Sequence, residues 1–265
     1  MRVWSVSTTV RNPERFRDFL KTLKKIEGKI WNNLTQKKYQ VLLLQDKAYG
    51  FGEPQFMNPL TEEQKEWLYS PAITYEQAEN IVDSKNYVGG AEMRGRQSLN
   101  PLKKLGLAYI NSENKVIISQ LGNTLLADDY DLGSVFFRSF LKWQYPNPDG
   151  DGYSASDSYN VKPLIATFHV INRVNEICKT QGLKQKGISK VEFAMFISTL
   201  SNYNNIENTA NNIVDFRNQY ESIPGKTDKD AFAATYFEKN FSDYGKWDSV
   251  QDFTDNTIRC FRMTR

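Results

Sequence analysis

A change of period at Gly106 constrains this chain more than any other feature. Before it, apolar residues recur at helical spacing. After it, Leu107 and Tyr109, then Val116 and Ile118, alternate on either side of the polar turn Asn111-Ser112-Glu113-Asn114. Alternation about a turn of that composition predicts a two-stranded hairpin. "SQLGNTLLA", residues 119–127, then reads as a short closing helix. Three helices followed by a hairpin is the element order of the winged helix, whose third helix normally lies in the DNA major groove.

The helices before the hairpin have their own signals. Residues 7–12 are polar and turn-like, and Asn12-Pro13-Glu14 places an N-cap residue ahead of Pro at the first helical position. Phe16, Phe19, Leu20, Leu23, Ile26 and Ile30 then fall on one helical stripe. A second helix is predicted over 36–47, and the Gly/Pro-rich stretch 50–59 reads as a loop. Thr61 and Gln64 form a capping box for the next helix. Further helices are predicted over 74–84 and 97–105. On that reading Arg94 and Arg96 are extended just ahead of the third helix, where residues i and i+2 point the same way. Both guanidinium groups can then meet phosphate or the O6/N7 edge of guanine. Gln97, Ser98, Lys103 and Lys104 on the helix, with Arg11 and Asn12 upstream, complete the candidate DNA-binding set of this half. The alternative is a winged-helix module that binds protein or only packs.

From about Asp128 a second helical half begins. Helices are predicted over 163–180, 189–200, 206–220, 231–241 and 249–260, with Ser189 and Glu192 as another capping box. Asn202, Asn204 and Asn205 form an amide-rich step between two of them. Asn pairs bidentately with adenine, and it also caps helices; both readings stand. The expected fold is therefore mainly α with small β-hairpins, an α+β chain of tandem winged-helix or helix-turn-helix-like subdomains. Their boundaries are 1–127 and 128–265.

Charge distribution agrees with a polyanion as partner. Residues 1–47 carry eleven Lys/Arg against four Asp/Glu, 92–118 carry five against two, and 161–190 carry six against one. Acidic blocks separate these basic ones, so separate basic surfaces or merely solvated faces both fit. Cys178 and Cys260 make no disulfide framework and suggest a reducing compartment. No N-terminal signal peptide and no apolar run long enough to span a membrane is visible, so a cytoplasmic location is expected.

Catalytic constellations are sparse. The one histidine, His169, lies within "LIATFHVI" and reads as a core residue with its ring N–H satisfied. His169, Cys178 and Cys260 match no structural zinc spacing. "NPDGDGYSASDS", residues 147–158, resembles a calcium loop at Asn147, Asp149, Asp151 and Gly152. Ser158 stands where calcium needs Glu, so a polar surface loop is expected. Glu113-Asn114-Lys115, with Asp83 upstream, is the nearest approach to a Mg²⁺-dependent nuclease centre, but it sits at the hairpin tip. These residues support binding better than catalysis: no catalytic and no metal-ligating residue is expected in this chain.

Several long motifs carry a resemblance. "WSVSTTVRNPERFRDFLKTLKKIEGKIW" (residues 4–31) and "MRGRQSLNPLKKLGLAYI…ISQLGNTLLA" (93–127) are similar to the AlwI-type (BstNBI-like) restriction endonucleases, a type IIS family. So are "FLKWQYP" (140–146), "ISKVEFAMFISTLSNYNNIENTANNIVDFRNQYE" (188–221) and "TIRCFRMTR" (257–265). The resemblance implies an N-terminal recognition region of two winged-helix-like subdomains that reads a short asymmetric site in double-stranded DNA. It also implies a linker and a C-terminal PD-(D/E)xK nuclease domain that cuts with Mg²⁺. This chain stops at Arg265, where the family enters the second wing. The expectation is thus a recognition region that binds no cofactor itself, the Mg²⁺ belonging to a nuclease domain absent from it. A monomer is expected, or one that pairs with a separate nuclease domain or subunit. The rival from another class is a free-standing winged-helix regulator.

Overall fold

The computed structural model describes residues 3–7, 9–48, 54–85, 87–145 and 160–264. Among the described residues the protein is mainly helical with one two-stranded sheet. The chain divides into two compact units, Asn12–Leu132 and a second made of Met1–Arg11 with Gly133–Arg265.

In the first unit, the Asn12 side chain accepts from the Glu14 amide at 3.1 Å and caps a 3-10 turn, Pro13–Arg15. That turn feeds α1 (Phe16–Lys24), followed by α2 (Asn33–Gln45), α3 (Pro54–Met57), α4 (Glu62–Tyr69), α5 (Tyr75–Ser84) and α6 (Gly90–Lys104). Phe16, Phe19, Leu20 and Leu23 of α1 are buried, as the stripe requires. Ile30 is not: α1 ends at Lys24, and Ile30 is 54% exposed in a bridge to Lys115. The second helix starts earlier than the sequence suggests, because Asn32 caps it by accepting from the Thr35 amide at 3.1 Å. The Thr61–Gln64 capping box forms in both directions. A second apolar cluster, including Val41, Leu44, Leu68, Ile73 and Ile81, joins α2 to α4 and α5.

The hairpin has β1 (Ala108–Ile110) antiparallel to β2 (Val116–Ile118), with Tyr109 opposite Ile117. Asn111 Oδ1 accepts from the Glu113 and Lys115 amides, and Asn114 adopts φ 56°, a left-handed turn position that Asn tolerates. The segment after α1 lies along the free edge of β2. Gly28 N–H donates to the Val116 carbonyl at 2.8 Å, and Val116 N–H to the Lys29 carbonyl at 3.0 Å. Backbone groups at an edge strand need partners, and this segment supplies them. Helix α7 (Gln120–Leu126) closes the unit. Arg17 donates to the carbonyls of Leu125 and Ala127 at its C-terminus, where cations are favoured.

The second unit contains α8 (Leu132–Lys142) from Gly133 onward, α9 (Pro163–Thr180), α10 (Lys190–Glu192), a π-helical stretch Phe193–Ile197, α11 (Ile206–Ser222), α12 (Lys226–Phe241) and α13 (Trp247–Arg262). Its core is aromatic: Phe140 packs edge-on against Phe261 at 4.9 Å, and Phe261 against Phe193 at 6.1 Å. The first residues of the chain belong to this unit. Trp4 is fully buried, donates from its indole to the Leu200 carbonyl at 2.8 Å, and sits 6.2 Å from Phe193. Asn256 then accepts from the Ser7 amide and donates to the Val10 carbonyl. The helix foreseen over 189–200 is α10 plus the π-helical stretch. Ser189 and Glu192 form their box, and Glu192 is also buried against Arg217 at 2.7 Å. His169 is exposed on α9, contrary to the expected core position, because Ala166, Thr167 and Val170 take the buried face. The calcium-like loop 147–158 lies outside the described residues.

Candidate nucleic-acid interface

Arg94 and Arg96 do not precede the third helix; they lie inside it. Helix α6 begins at Gly90, after Gly89 at φ 79°, seven residues before the predicted start. Met, Arg and Gln are good helix formers, and Gly95, a poor one, serves packing. A Cβ at Gly95 would stand 2.1 Å from the Gln36 carbonyl oxygen. The glycine lets α6 lie directly on the backbone of α2.

Being helical changes what the two arginines can do. Two residues on an α-helix are separated by about 200° of rotation, so their side chains leave on nearly opposite sides. Arg94 is half-buried. Its guanidinium carbon lies 5.5 Å above the Tyr87 ring, and Nη1 donates to Gln97 Oε1 at 3.2 Å. Its Nε is buried and has no hydrogen-bond partner among the described residues. Burial pushes the Tyr87 phenol's pKa up, opposed by the Gln40 hydrogen bond and the Arg94 charge. Arg96 is exposed, and its Nη1 donates to Gln36 Oε1 at 2.8 Å. Gln36 is itself buried, so it holds the guanidinium at one corner and leaves the others facing solvent.

Arg96, Asn100, Lys103 and Lys104 follow at i, i+4, i+7 and i+8, which places them on one face. Arg96 and Asn100 are exposed and the two lysines half-buried, while Gly95, Ser98, Leu99 and Leu102 form the buried face. After Glu92 the helix carries no carboxylate. Ser98 is fully buried in the middle of the helix, on its packed face, and so cannot reach a groove. Gln97 stays near the face but accepts from Arg94. The hairpin follows directly. Glu27 fastens it to the end of α1: Oε1 accepts from the Ile118 amide at 2.9 Å, and Oε2 meets Lys24 at 2.6 Å.

The remaining candidates are not part of this helix. Asn12 is occupied as a cap, and Arg11, in the other unit, pairs with Asp252 at 3.1 Å on an exposed surface. Asn202 is a cap as well, its Oδ1 accepting from the Asn204 amide at 2.9 Å. Asn204 and Asn205 are exposed, and Asn205 lines a cleft with Asn208 and Asn212 of α11. Glu113 and Lys115 pair with each other at 2.6 Å, whereas Asp83 on α5 pairs with Lys37 at 2.8 Å, so the three do not converge. Gln36, Asn100, Asn208 and Asn212 were missed from sequence. Only Asn100 carried a signal, four residues beyond Arg96.

No helix among the described residues is long and apolar enough to cross a membrane. No curated protein matches the chain. A family model described as AlwI restriction endonuclease matches residues 103–265. The match covers the end of α6, the hairpin and the whole of α8 to α13, and leaves residues 4–31 outside it. With well over half of its length matched, this chain belongs to the AlwI restriction endonuclease family.

Proposed function

We propose that the chain reads a short asymmetric sequence in double-stranded DNA, as the recognition portion of a type IIS restriction or nicking endonuclease. The first unit acts as a winged helix. The exposed face of α6 enters the major groove, and the hairpin runs beside it along the backbone. Arg96 is the base-reading residue, Lys103 and Lys104 neutralise phosphates, and Asn100 adds an amide within reach of a base edge. The second unit supplies a further recognition surface, and Mg²⁺-dependent cleavage belongs to a separate nuclease domain or subunit.

The observation that carries this reading is Arg96 itself. An exposed arginine normally samples many rotamers, and ordering one costs entropy on binding. Here Gln36 fixes one corner of the fork before any partner arrives, on an exposed residue of a helix that carries no carboxylate after Glu92. That suits a bidentate acceptor such as guanine O6/N7. The test is selection of bound duplexes from a random pool by the 265-residue chain. One short, non-palindromic sequence should be enriched over successive rounds. A pool that stays random would refute the proposal.

A further inference from the structure

Helix α11 carries three asparagines, Asn205 at its N-cap and then Asn208 and Asn212, that open onto one cleft of about 220 Å³ in the second unit. Their side-chain amides make no hydrogen bond among the described residues. Asn211, the neighbour on the same helix, donates to the Glu207 carbonyl at 2.9 Å. Three adjacent amides with unused donors and acceptors make a recognition edge.

The rest of the cleft is aromatic. Phe196 is buried and meets Phe241 edge-on at 5.5 Å; Tyr244 lies 6.3 Å from Phe241, its hydroxyl fixed by donation to the Thr199 carbonyl at 3.1 Å. Among the described residues nothing ionisable to a charge near neutral pH lines it, the others being Thr199, Leu200, Ser201 and Thr209. A neutral lining does not favour phosphate or a metal cation. Flat aromatic walls and amide groups suit a flat heterocycle with amide-like edges. The volume lies below the roughly 300–1,000 Å³ typical of drug-sized sites, which leaves room for one ring system only.

We infer that this cleft binds a single nucleobase, its ring against the Phe241–Tyr244 wall and its polar edge on the Asn208 and Asn212 amides. Stacking on aromatic side chains and amide pairing are the common means of holding an unstacked base. The base reaches the cleft either free or as an unstacked residue of a strand. The pocket does not depend on the reading of α6, and its test does not require duplex binding.

The four deoxynucleosides are titrated into the 265-residue chain by saturation-transfer NMR, beside deoxyribose 5-phosphate and a short single strand of the best-bound base. At least one deoxynucleoside should bind through its base protons. Asn212→Ala should weaken that binding about tenfold, as loss of a hydrogen bond predicts. Asn208→Ala should act likewise, and Asn211→Ala should leave it unchanged. Tighter binding of the single strand assigns the ligand to a nucleic acid, and equal binding assigns it to a free base. No nucleoside binding, equal binding of deoxyribose 5-phosphate, or affinity unchanged in both Asn208→Ala and Asn212→Ala would overturn the pocket. Such a failure with duplex binding intact leaves the α6 reading standing.

Discussion

Gly95→Ala sets two magnitudes against each other. Alanine is favoured over glycine inside a helix by about 1 kcal/mol, so on an open helix the change stabilises. At this position the new Cβ would lie 2.1 Å from the Gln36 carbonyl oxygen and 2.8 Å from its carbon, where ordinary contact begins at 3.4 Å. Backbone atoms cannot rotate away as a side-chain tip can, so α6 must withdraw from α2. Overpacking of this kind costs about 1–3 kcal/mol, and the unyielding neighbour places it at or beyond the upper end. The net result is a loss of about 2 kcal/mol or more, at least roughly 5 °C in melting temperature. Withdrawal also stretches the 2.8 Å bond from Arg96 to Gln36. The assay is thermal unfolding followed by circular dichroism, with Asn100→Ala on the exposed face as the comparison. Asn100→Ala should melt within a degree or two of the parent or above it. If Gly95→Ala melts as high as Asn100→Ala, the close approach of α6 to α2 is wrong.

Glu27→Gln should flatten the acid limb of the stability curve. Burial raises the Glu27 carboxyl pKa, but the hydrogen bonds from Lys24 and the Ile118 amide outweigh it and hold the group below its ordinary 4.5. A carboxylate with a depressed folded pKa stabilises above 4.5, and that contribution is lost as pH falls through the folded value. Denaturant titrations between neutral and acid pH should show the glutamine variant less stable at neutral pH and less sensitive to acid; parallel curves would contradict this. Arg217→Met should cost about 3–5 kcal/mol, because it strands the buried Glu192 charge. Urea unfolding checks it: Arg217→Met with Glu192→Gln should cost less than Arg217→Met alone, and an equal or greater loss would speak against a buried ion pair.

Much of the helical content was legible because its signals are local. The Thr61–Gln64 and Ser189–Glu192 boxes, Pro163 at the start of α9 and the turn at Asn111–Asn114 depend on neighbours a few residues away. What could not be read depends on partners distant in sequence. The contact of Gly95 with the Gln36 backbone is one such feature, and α6 begins seven residues before the predicted start. An extended backbone there would turn Arg94 and Arg96 toward one groove, whereas the helix sends Arg94 to Tyr87 and Arg96 to Gln36. His169 sits in an apolar string and Ile30 at the end of an apolar helical stripe, and only the packing shows that both face outward. Within the candidate set, Ser98 is buried, and Asn12 and Asn202 serve as caps.

The claim that one arginine on α6 reads a base is tested most directly by competition binding. The parent chain, Arg94→Ala, Arg96→Ala, and Lys103→Ala with Lys104→Ala are each measured against the selected duplex and a scrambled one, at two salt concentrations. Losing a bidentate pair to guanine removes about 1–3 kcal/mol of discrimination, roughly 5- to 150-fold in the ratio of the two affinities. Arg96→Ala should lose that ratio while its affinity for the scrambled duplex holds. Arg94→Ala should keep the ratio, and the double lysine variant should weaken both duplexes alike and lower the salt slope by about two units. An unchanged ratio in Arg96→Ala would contradict the account and remove base reading from this face of α6.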